Sequence, residues 1–348
     1  MNIAKLILLP LAGLYNLLMR LRNHLYNVGY WPTIQFDTVL IAVGNLNVGG
    51  SGKTPMVEYL IRLLQDRYSV ATLSRGYKRS TRGYRLAKEL ETARTIGDEP
   101  FQLFTKFGSR VKIAVGEDRV LAIPHMLQDF PDTRTIVLDD AFQQRSIKPQ
   151  LTILLTEYKH PFYEDFLLPL GRLREARSGA RRADIIVVTK CSERLTHQEQ
   201  QEIAYKIERY AGAKPVFFSK INYETPCAFG GDQSFSKNVI IVSGIAKADY
   251  LRQYCLSNFK VLKYFEFPDH HLYSAGDLAG IEQFSRSQLA PFSIVTTEKD
   301  MVKLIVPELM PNIARLPWFF IPIRHSFLQD GPKFDELVFG AVDRPTVN

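Results

Sequence analysis

The chain has 348 residues, of which 46% are hydrophobic and 23% are charged, a size and composition that suit one or two folded domains and exclude a disordered chain. Its 44 basic and 36 acidic residues give a net charge of +8, which is too small by itself to indicate nucleic-acid binding. Three scattered cysteines, Cys191, Cys227 and Cys255, argue against a disulfide framework and favour a reducing compartment.

The N-terminal segment is basic and apolar. The first 36 residues contain no Asp or Glu, and basic residues bracket an apolar run over residues 6–19. Such a segment favours an anionic membrane surface. The run is shorter than the roughly 20 residues of a membrane span and contains Pro10, so we expect residues 1–30 to form a helix that lies in or dips into the bilayer. A buried core helix and a signal peptide are the alternatives, although Leu14 stands where a lipoprotein signal needs cysteine.

An alternation of apolar strands and amphipathic helices begins at residue 38. The predicted strands are 38–44, 69–74, 111–115, 135–139, 151–156, 183–189 and 215–220, and the predicted helices are 54–66, 100–107, 117–129 and 196–211. Alternating strands and helices form a mostly parallel sheet that helices cover on both faces. We therefore expect an α/β domain over residues 31–225.

The periodicity is lost between residues 222 and 237, where Gly, Pro and Ser residues predict a linker over 226–237. A second alternating pattern follows, with strands near 239–244, 261–267, 292–297 and 316–322 and helices near 247–258 and 275–289. Residues 238–348 are accordingly expected to form a second, smaller α/β/α domain.

The stretch "VGNLNVGGSGKTP" at residues 43–55 lies between a predicted strand and a predicted helix, which is the setting of a phosphate-binding loop. Its glycines let backbone N–H groups approach phosphate oxygens, Lys53 adds a positive charge, and the Thr54 hydroxyl can bind Mg²⁺. Asn47 stands where the usual pattern has glycine, and we expect it to be tolerated because asparagine can adopt positive φ. The loop predicts a P-loop NTPase-like domain with three α/β/α layers.

A second pattern agrees with a nucleotide site. The apolar strand in "TIVLDDAF" runs into Asp139 and Asp140, at the end of a strand where P-loop enzymes hold magnesium. A GTPase switch is disfavoured, because Ser192 replaces the aspartate of the guanine-reading [NT]KxD element and no xxG follows Asp139. An ATPase that acts on nucleic acid is also disfavoured, because no aromatic-rich recognition module is present.

Two arginine-rich segments occupy residues 74–85 and 171–182, "SRGYKRSTRGYR" and "GRLREARSGARR". The planar guanidinium group contacts phosphate oxygens with two hydrogen bonds, so each segment could recognise an anion. Each could equally be a solvated surface. Both interpretations stay open at the level of the sequence.

Seven spaced motifs carry a resemblance to a known family. They are "VGNLNVGGSGKTP", "LSRGY" (73–77), "GDEP" (97–100), "LDDAFQ" (138–143), "PLGRLRE" (169–175), "FPDHH" (267–271) and "TTEKDMVKL" (296–304). In this order they resemble the motifs of the tetraacyldisaccharide 4′-kinases, membrane-associated enzymes that phosphorylate the lipid A disaccharide precursor. The resemblance covers nearly the whole chain, and it departs from the usual family residues at Asn47, Ala141, Gln144, Leu170 and Arg172.

The resemblance implies a kinase that uses ATP and Mg²⁺, with its active site in the cleft between the two domains. It implies nucleotide binding by Asn47, Val48, Gly49, Gly50, Ser51, Gly52, Lys53 and Thr54, and magnesium binding by Thr54, Asp139 and Asp140. It implies catalytic roles for Lys53, Asp98 and His270. It implies substrate contacts by Arg75, Glu99, Arg172, Arg174, Glu175 and His271.

Asp98 is the implied general base. An N-cap is the alternative, because Asp-Glu-Pro is a common start of a helix. His270 is its implied partner, since an imidazole beside a carboxylate can orient it and tune its proton affinity. Glu298 and Lys299 would line the same cleft, although a structural ion pair explains them nearly as well.

The implied reaction is transfer of the γ-phosphate of ATP to the 4′-hydroxyl of tetraacyldisaccharide 1-phosphate, which gives lipid IVA in lipopolysaccharide biosynthesis. The implied partners are this lipid and the membrane surface, without nucleic acid. The implied location is the cytoplasmic face of the inner membrane, as a peripheral or monotopic protein. The alternative is a membrane-associated, nucleotide-dependent switch or insertase that transfers no phosphate to lipid.

Overall fold

The computed structural model describes residues 3–231 and 234–344, with side chains from residue 8 onward. Residues 1 and 2 of the predicted N-terminal helix, 232 and 233 of the predicted linker, and 345–348 of the predicted smaller domain lie outside the described residues.

The described residues form two sheets and their covering helices. The strands are β1 Val39–Asn45, β2 Val70–Ser74, β3 Arg85–Leu86, β4 Lys112–Val115, β5 Thr135–Asp139, β6 Leu151–Glu157, β7 Ile185–Thr189, β8 Val216–Tyr223, β9 Cys227–Ala228, β10 Asn238–Ser243, β11 Lys260–Glu266, β12 Ser293–Thr297, β13 Trp318–Ile321 and β14 Ile323–Phe327. The α-helices are α1 Ile3–Asn27, α2 Lys53–Leu64, α3 Ala93–Ile96, α4 Asp98–Phe107, α5 Arg119–Asp129, α6 His197–Ala211, α7 Asp249–Asn258, α8 Ala275–Arg286, α9 Glu298–Leu304, α10 Met310–Ile313 and α11 Gly331–Asp343. Short 3-10 helices occupy Phe162–Glu164 and Arg177–Arg182.

Nine of the described strands form the larger sheet, in the order β14-β8-β7-β6-β1-β5-β2-β4-β3. The seven inner strands are parallel, and β3 and β14 pair antiparallel at the edges. Every residue of β1 is buried, because its alternate side chains enter cores on opposite faces of the sheet. Val39 and Ile41 pack with α2, α4 and α11, whereas Leu40 and Ala42 pack with α5.

The smaller sheet has the order β11-β10-β12-β13-β9 among the described strands, and only β9 is antiparallel in it. Ile240 and Val242 pack toward α8, whereas Val239 and Ile241 pack toward α7. Helices therefore cover both faces of this sheet as well. The predicted fold class, a P-loop NTPase-like α/β/α domain with a smaller α/β/α domain, is confirmed.

The domain division differs from the prediction at two places. Strand β14 follows β13 after the single residue Pro322 and pairs with β8 of the larger sheet. Helix α11 then packs its Phe334 and Val338 into the core of the larger domain. Residues 323–344 therefore belong with the larger domain, and the predicted smaller domain over 238–348 is too long. The predicted linker also contains β9, which pairs with β13 in the smaller sheet.

Helix α1 lies on the larger domain with an apolar face left uncovered. Its inner face contributes Tyr15, Arg22 and Asn23, whose side chains hydrogen-bond to residues of the larger domain. Its outer face exposes Leu11, Leu14, Leu17, Leu18 and Leu21. Among the described residues, no helix combines the length and apolarity that a membrane crossing requires.

Candidate active site

The glycine-rich loop lies between the buried strand β1 and helix α2. Gly49 and Gly52 have φ values of 119° and 84°, which favour glycine and turn the chain into the helix. The first backbone N–H groups of α2 have no intrahelical partner, so they can bind an anion at this helix end. The N–H groups of Val48 and Ser51 differ, because they already donate to the carbonyl oxygens of Arg172 at 2.7 Å and of Gly49 at 3.0 Å. The loop geometry suits nucleotide phosphates through the N–H groups of Gly49, Gly50 and residues 52–54.

Asn47 does not adopt positive φ, so the conformational reason given for tolerating it is wrong. Its side-chain Nδ2 instead donates to Asp165 Oδ2 at 2.7 Å. Asp165 also accepts from the backbone N–H and the Nε of Arg172, both at 3.1 Å. Burial would raise the pKa of Asp165, but these hydrogen bonds outweigh it and lower the pKa. Asn47 and Arg172 therefore bind the same carboxylate, that of Asp165, which holds Asn47 in place at the start of the glycine-rich loop.

Lys53 faces a cluster of polar groups at the mouth of the loop. Its Nζ donates to Asn45 Oδ1 at 3.2 Å and lies 3.6 Å from Asp140 Oδ1. Arg174 donates to the same Asn45 oxygen and also lies 2.8 Å from Asp140 Oδ1. Burial would raise the pKa of Asp140, but Lys53 and Arg174 outweigh it and lower the pKa. Two cations thus stand where nucleotide phosphates would need them.

Asp139 is a buried carboxylate at the C-terminal end of β5. Its Oδ1 has no hydrogen-bond partner among the described residues. Burial raises the pKa of Asp139 to about 7, with Lys53 opposing this effect and Asp140 adding to it. A buried carboxylate oxygen without a partner is costly unless a cation reaches it. Mg²⁺ is usually held by one or two carboxylates together with phosphate oxygens, so Asp139, Asp140 and the half-buried Thr54 fit this ion.

Asp98 and His270 meet across the cleft between the domains. Asp98 is the first residue of α4, and Gly97 occupies the N-cap position, so the N-cap alternative for Asp98 is wrong. The Asp98 Oδ2 instead lies 3.1 Å from His270 Nδ1. His270 has a φ of 61°, and its ring lies 5.4 Å from that of Tyr77. The backbone of His270 is held in a conformation that a non-glycine residue rarely adopts, which is common at functional sites.

Glu99 and Lys299 form a second contact beside this pair. Lys299 Nζ lies 2.6 Å from Glu99 Oε1. Burial would raise the pKa of Glu99, but Lys299 outweighs it and lowers the pKa. Glu99 is close enough to Asp139 to help raise the pKa of that carboxyl. Glu99 therefore lies near the carboxylates that are candidates for binding Mg²⁺. Glu298 instead pairs with Lys106, away from Asp98.

Many side chains of the two arginine-rich segments form ion pairs with acidic residues of the same chain. Arg79 pairs with Glu117, and Arg85 pairs with Glu91. Arg75 and Arg82 differ, because both are exposed and neither side chain has a polar partner in the part of the chain that the structure describes. Arg75 follows β2 directly and is close enough to Arg119, the neighbour of Asp139 and Asp140, to help lower the pKa of Arg119. Of the first segment, Arg75 is therefore best placed to bind a substrate anion.

Glu175 and His271, two residues with implied substrate contacts, form hydrogen bonds with other residues of the protein. Glu175 is buried, and its carboxylate accepts hydrogen bonds from Arg182 at 2.7 Å and from Asn23 of α1 at 3.2 Å. His271 Nε2 lies 3.1 Å from Asp277 Oδ2, in the N-terminal capping box of α8. We therefore assign both residues to support of the structure.

The sequence interpretation missed a charged cluster beside the loop. Glu157 ends β6, and it contacts Lys190 at 3.3 Å, Lys247 and the Tyr250 hydroxyl at 3.0 Å. Lys190 also donates to the carbonyl oxygen of Gly50 at 2.6 Å. Glu157 and Lys190 stand at the carboxyl ends of parallel strands, as Asp139 does, and that position could have revealed them.

The comparisons with known proteins agree with this geometry. Residues 4–342 match the family described as tetraacyldisaccharide-1-P 4′-kinase. A tetraacyldisaccharide 4′-kinase of Flavobacterium johnsoniae is 41% identical over 342 residues, which cover 96% of each chain. One of Bacteroides thetaiotaomicron is 38% identical over 359 residues, covering 98% of this chain and 94% of the relative.

A solved structure shares the fold. LpxK from Aquifex aeolicus, determined in complex with ATP, superposes with a TM-score of 0.74 and 28% sequence identity. The match covers 98% of this chain and 100% of that one. Family, relatives and solved structure agree over nearly the full length, and the chain belongs to the tetraacyldisaccharide-1-P 4′-kinase family.

Proposed function

We propose that this kinase transfers the γ-phosphate of ATP to the 4′-hydroxyl of tetraacyldisaccharide 1-phosphate, which forms lipid IVA and ADP. The hydroxyl oxygen forms the new bond to the γ-phosphorus, and the bond between that phosphorus and the β,γ-bridging oxygen breaks. The hydroxyl proton needs an acceptor. Such reactions depend mainly on positioning and charge neutralisation.

The observation that carries the proposal is the Asp98–His270 contact of 3.1 Å. Asp98 Oδ2 accepts the hydroxyl proton, and the His270 imidazole orients the carboxylate. A base of this kind takes the proton of an attacking hydroxyl or water, and membership of the kinase family favours the lipid hydroxyl over water as the acceptor. Glu99 would approach the same substrate from the next position of α4.

On the nucleotide side, Lys53 and the backbone N–H groups of Gly49, Gly50 and residues 52–54 bind the phosphates. Thr54, Asp139 and Asp140 would hold Mg²⁺, which supplies charge neutralisation of the β- and γ-phosphates when bound. Arg174 adds a second cation to that side. Arg75 is the candidate for the phosphate of the lipid substrate, because it is exposed near the end of β2.

The proposed location is the cytoplasmic face of the inner membrane, as a peripheral or monotopic protein, and the uncovered leucine face of α1 supports contact with a bilayer. An apolar helix face inserts into the boundary between headgroups and acyl chains. The inner face reaches the active-site region, because the Tyr15 hydroxyl donates to the carbonyl oxygen of Arg174 at 2.7 Å. Such a placement would bring the lipid hydroxyl to the cleft without removing the acyl chains from the bilayer.

The test is an assay with γ-labelled ATP and tetraacyldisaccharide 1-phosphate in mixed micelles. The proposal predicts label in the lipid that depends on Asp98. A switch or insertase would release labelled phosphate or retain nucleotide without labelling lipid.

A further inference from the structure

Helix α9 follows β12 of the smaller domain and packs directly on α4 of the larger domain, where its Met301 and Val302 lie in the same buried cluster as Phe101 of α4. Two ion pairs also join the helices, and each helix supplies the lysine of one pair and the glutamate of the other. Lys299 Nζ of α9 lies 2.6 Å from Glu99 Oε1 of α4. Lys106 Nζ of α4 lies 2.6 Å from Glu298 Oε1 of α9. Glu99 and Lys106 are two helical turns apart and share one face of α4, whereas Glu298 and Lys299 are adjacent. The crossed charges therefore fit one register of the two helices, because a shifted register would bring like charges together.

The Lys106 end of this contact is anchored within the larger domain. Lys106 Nζ also lies 2.8 Å from Glu58 Oε2 of α2, and Glu58 accepts a second hydrogen bond from Gln102 at 3.0 Å. Glu58 and Glu298 are both buried. Removing one partner of a buried ion pair has a large effect, because the charge left behind is uncompensated.

The α9 end of the contact is connected to the backbone of His270. Gly244 N–H donates to Asp300 Oδ2 at 3.1 Å, and Lys303 Nζ donates to the carbonyl oxygen of Gly244 at 3.2 Å. The same carbonyl oxygen accepts the backbone N–H of His270 at 3.2 Å. Helix α9 therefore contacts the helix that begins with Asp98 and also holds the turn that carries His270.

We propose that Lys106 and Glu298 are positioning residues for phosphoryl transfer: their ion pair fixes the register of α9 on α4, beside the apolar contact of Met301 and Val302, and so sets the distance between Asp98 and His270. This role rests on the proposed function of the Asp98–His270 pair. Lys106 and Glu298 act through α9 and contact neither substrate.

The test compares Glu298→Gln with Glu58→Gln in the full-length enzyme. Glu298→Gln removes the carboxylate of α9 that pairs with Lys106 of α4. Glu58→Gln removes a different carboxylate that pairs with the same lysine, but from within the larger domain. Glu298→Gln should lower kcat about tenfold with the KM for ATP nearly unchanged, since small displacements of catalytic groups cost this much or more. Glu58→Gln should keep kcat within about twofold, because it leaves the Lys106–Glu298 pair in place and removes a like charge near Glu298. Thermal unfolding of each variant separates this effect from loss of folded protein.

A double-mutant cycle decides whether the effect passes through His270. In a His270→Ala background, Glu298→Gln should lower kcat by less than about twofold, because the group that it positions is gone. An undiminished kcat in Glu298→Gln alone, or an equal loss in both backgrounds, would overturn the proposal. If Glu298→Gln does not fold, Lys106→Gln enters the same cycle.

A lipid-free readout keeps this inference separate from the proposed function. The His270 imidazole resonances of the intact chain should shift in Glu298→Gln and stay in place in Glu58→Gln. Unchanged resonances in Glu298→Gln would overturn the positioning role. A wild-type enzyme that labels no lipid would overturn the proposed function, and the resonances would still decide the positioning.

Discussion

His270 Nδ1 lies 3.1 Å from Asp98 Oδ2, although 172 residues separate them in the chain. The larger domain supplies the carboxylate and the smaller domain supplies the imidazole. The contact therefore exists only while the two domains face each other across the cleft.

Replacing Asp98 tests its role as general base. A positioned base contributes on the order of 10² to 10⁴ in rate, so Asp98→Ala should lower kcat by such a factor while the Kd for ATP changes little. His270→Ala should cost less. The double variant should be scarcely slower than Asp98→Ala, because the two groups act as one unit. Steady-state kinetics with lipid substrate give these values. Multiplicative losses would mean that the two residues work independently.

Replacing Asp139 should abolish activity without lowering the stability of the fold. Asp139→Asn should abolish lipid phosphorylation, because Mg²⁺ loses a carboxylate. The nucleotide-free variant should unfold at the same temperature as the wild type or higher, since a neutral amide replaces a buried charge that burial disfavours. Thermal unfolding with and without Mg·ATP measures both effects. An Asp139→Asn variant that Mg·ATP stabilises as strongly as the wild type would contradict the assignment of Asp139 as a magnesium ligand.

Replacing Asn47 tests the hydrogen bond that joins the glycine-rich loop to Asp165. Asn47→Ala should lower the free energy of unfolding by roughly 1 to 2 kcal/mol, because Asp165 loses a hydrogen bond. Asn47→Gly should behave similarly, since the residue does not need positive φ. Chemical denaturation measures the loss. In an Asp165→Ala background the same replacement should cost less, and an equal cost there would show that the contact contributes nothing.

His325 predicts acid sensitivity of the larger domain. Burial lowers the pKa of His325 from 6.5 to about 3, and its ring packs 5.6 Å from that of Tyr59 and 5.1 Å from that of Phe327. Between these pH values the unfolded chain binds a proton that the folded chain does not. Stability contributed by neutral His325 is therefore complete above pH 6.5 and is lost as the pH falls toward 3, by at most about 1.4 kcal/mol per pH unit. His325→Phe should show a shallower decline in denaturation experiments, and an unchanged slope would exclude His325 as a source.

The leucine face of α1 predicts vesicle binding. Replacing Leu11, Leu14, Leu18 and Leu21 with Gln should abolish flotation with anionic vesicles, because these side chains are exposed and share one face. Deleting α1 is a poorer test, since Tyr15 and Asn23 support the active-site region.

Leu256→Gln is the matched control, because Leu256 is an exposed leucine of α7, away from this face. It should float as the wild type does. A quadruple variant that still floats fully would place the membrane contact elsewhere.

Local patterns predicted much of the nucleotide site. Strand β1, its glycine-rich loop and Asp139 follow from apolar periodicity and from the positions of polar residues at strand ends. The pairing of Asp98 with His270 came from resemblance, because no spacing rule connects residues so far apart. The structure adds the distance between them.

Contacts that depend on tertiary pairing could not be predicted. Nothing in the local sequence shows that β14 leaves the smaller domain, because its partner β8 ends about a hundred residues earlier. The Asn47 side chain looked replaceable for the same reason, since Asp165 lies 118 residues away in the chain.

The most direct test of the central claim is transfer of label from γ-labelled ATP to tetraacyldisaccharide 1-phosphate by the purified full-length protein. The account predicts a labelled lipid with a phosphate ester at the 4′ position. Asp139→Asn should form none of it, and Asp98→Ala should form it on the order of 10² to 10⁴ times more slowly. Labelled inorganic phosphate without labelled lipid, or normal lipid labelling by Asp98→Ala, would contradict it.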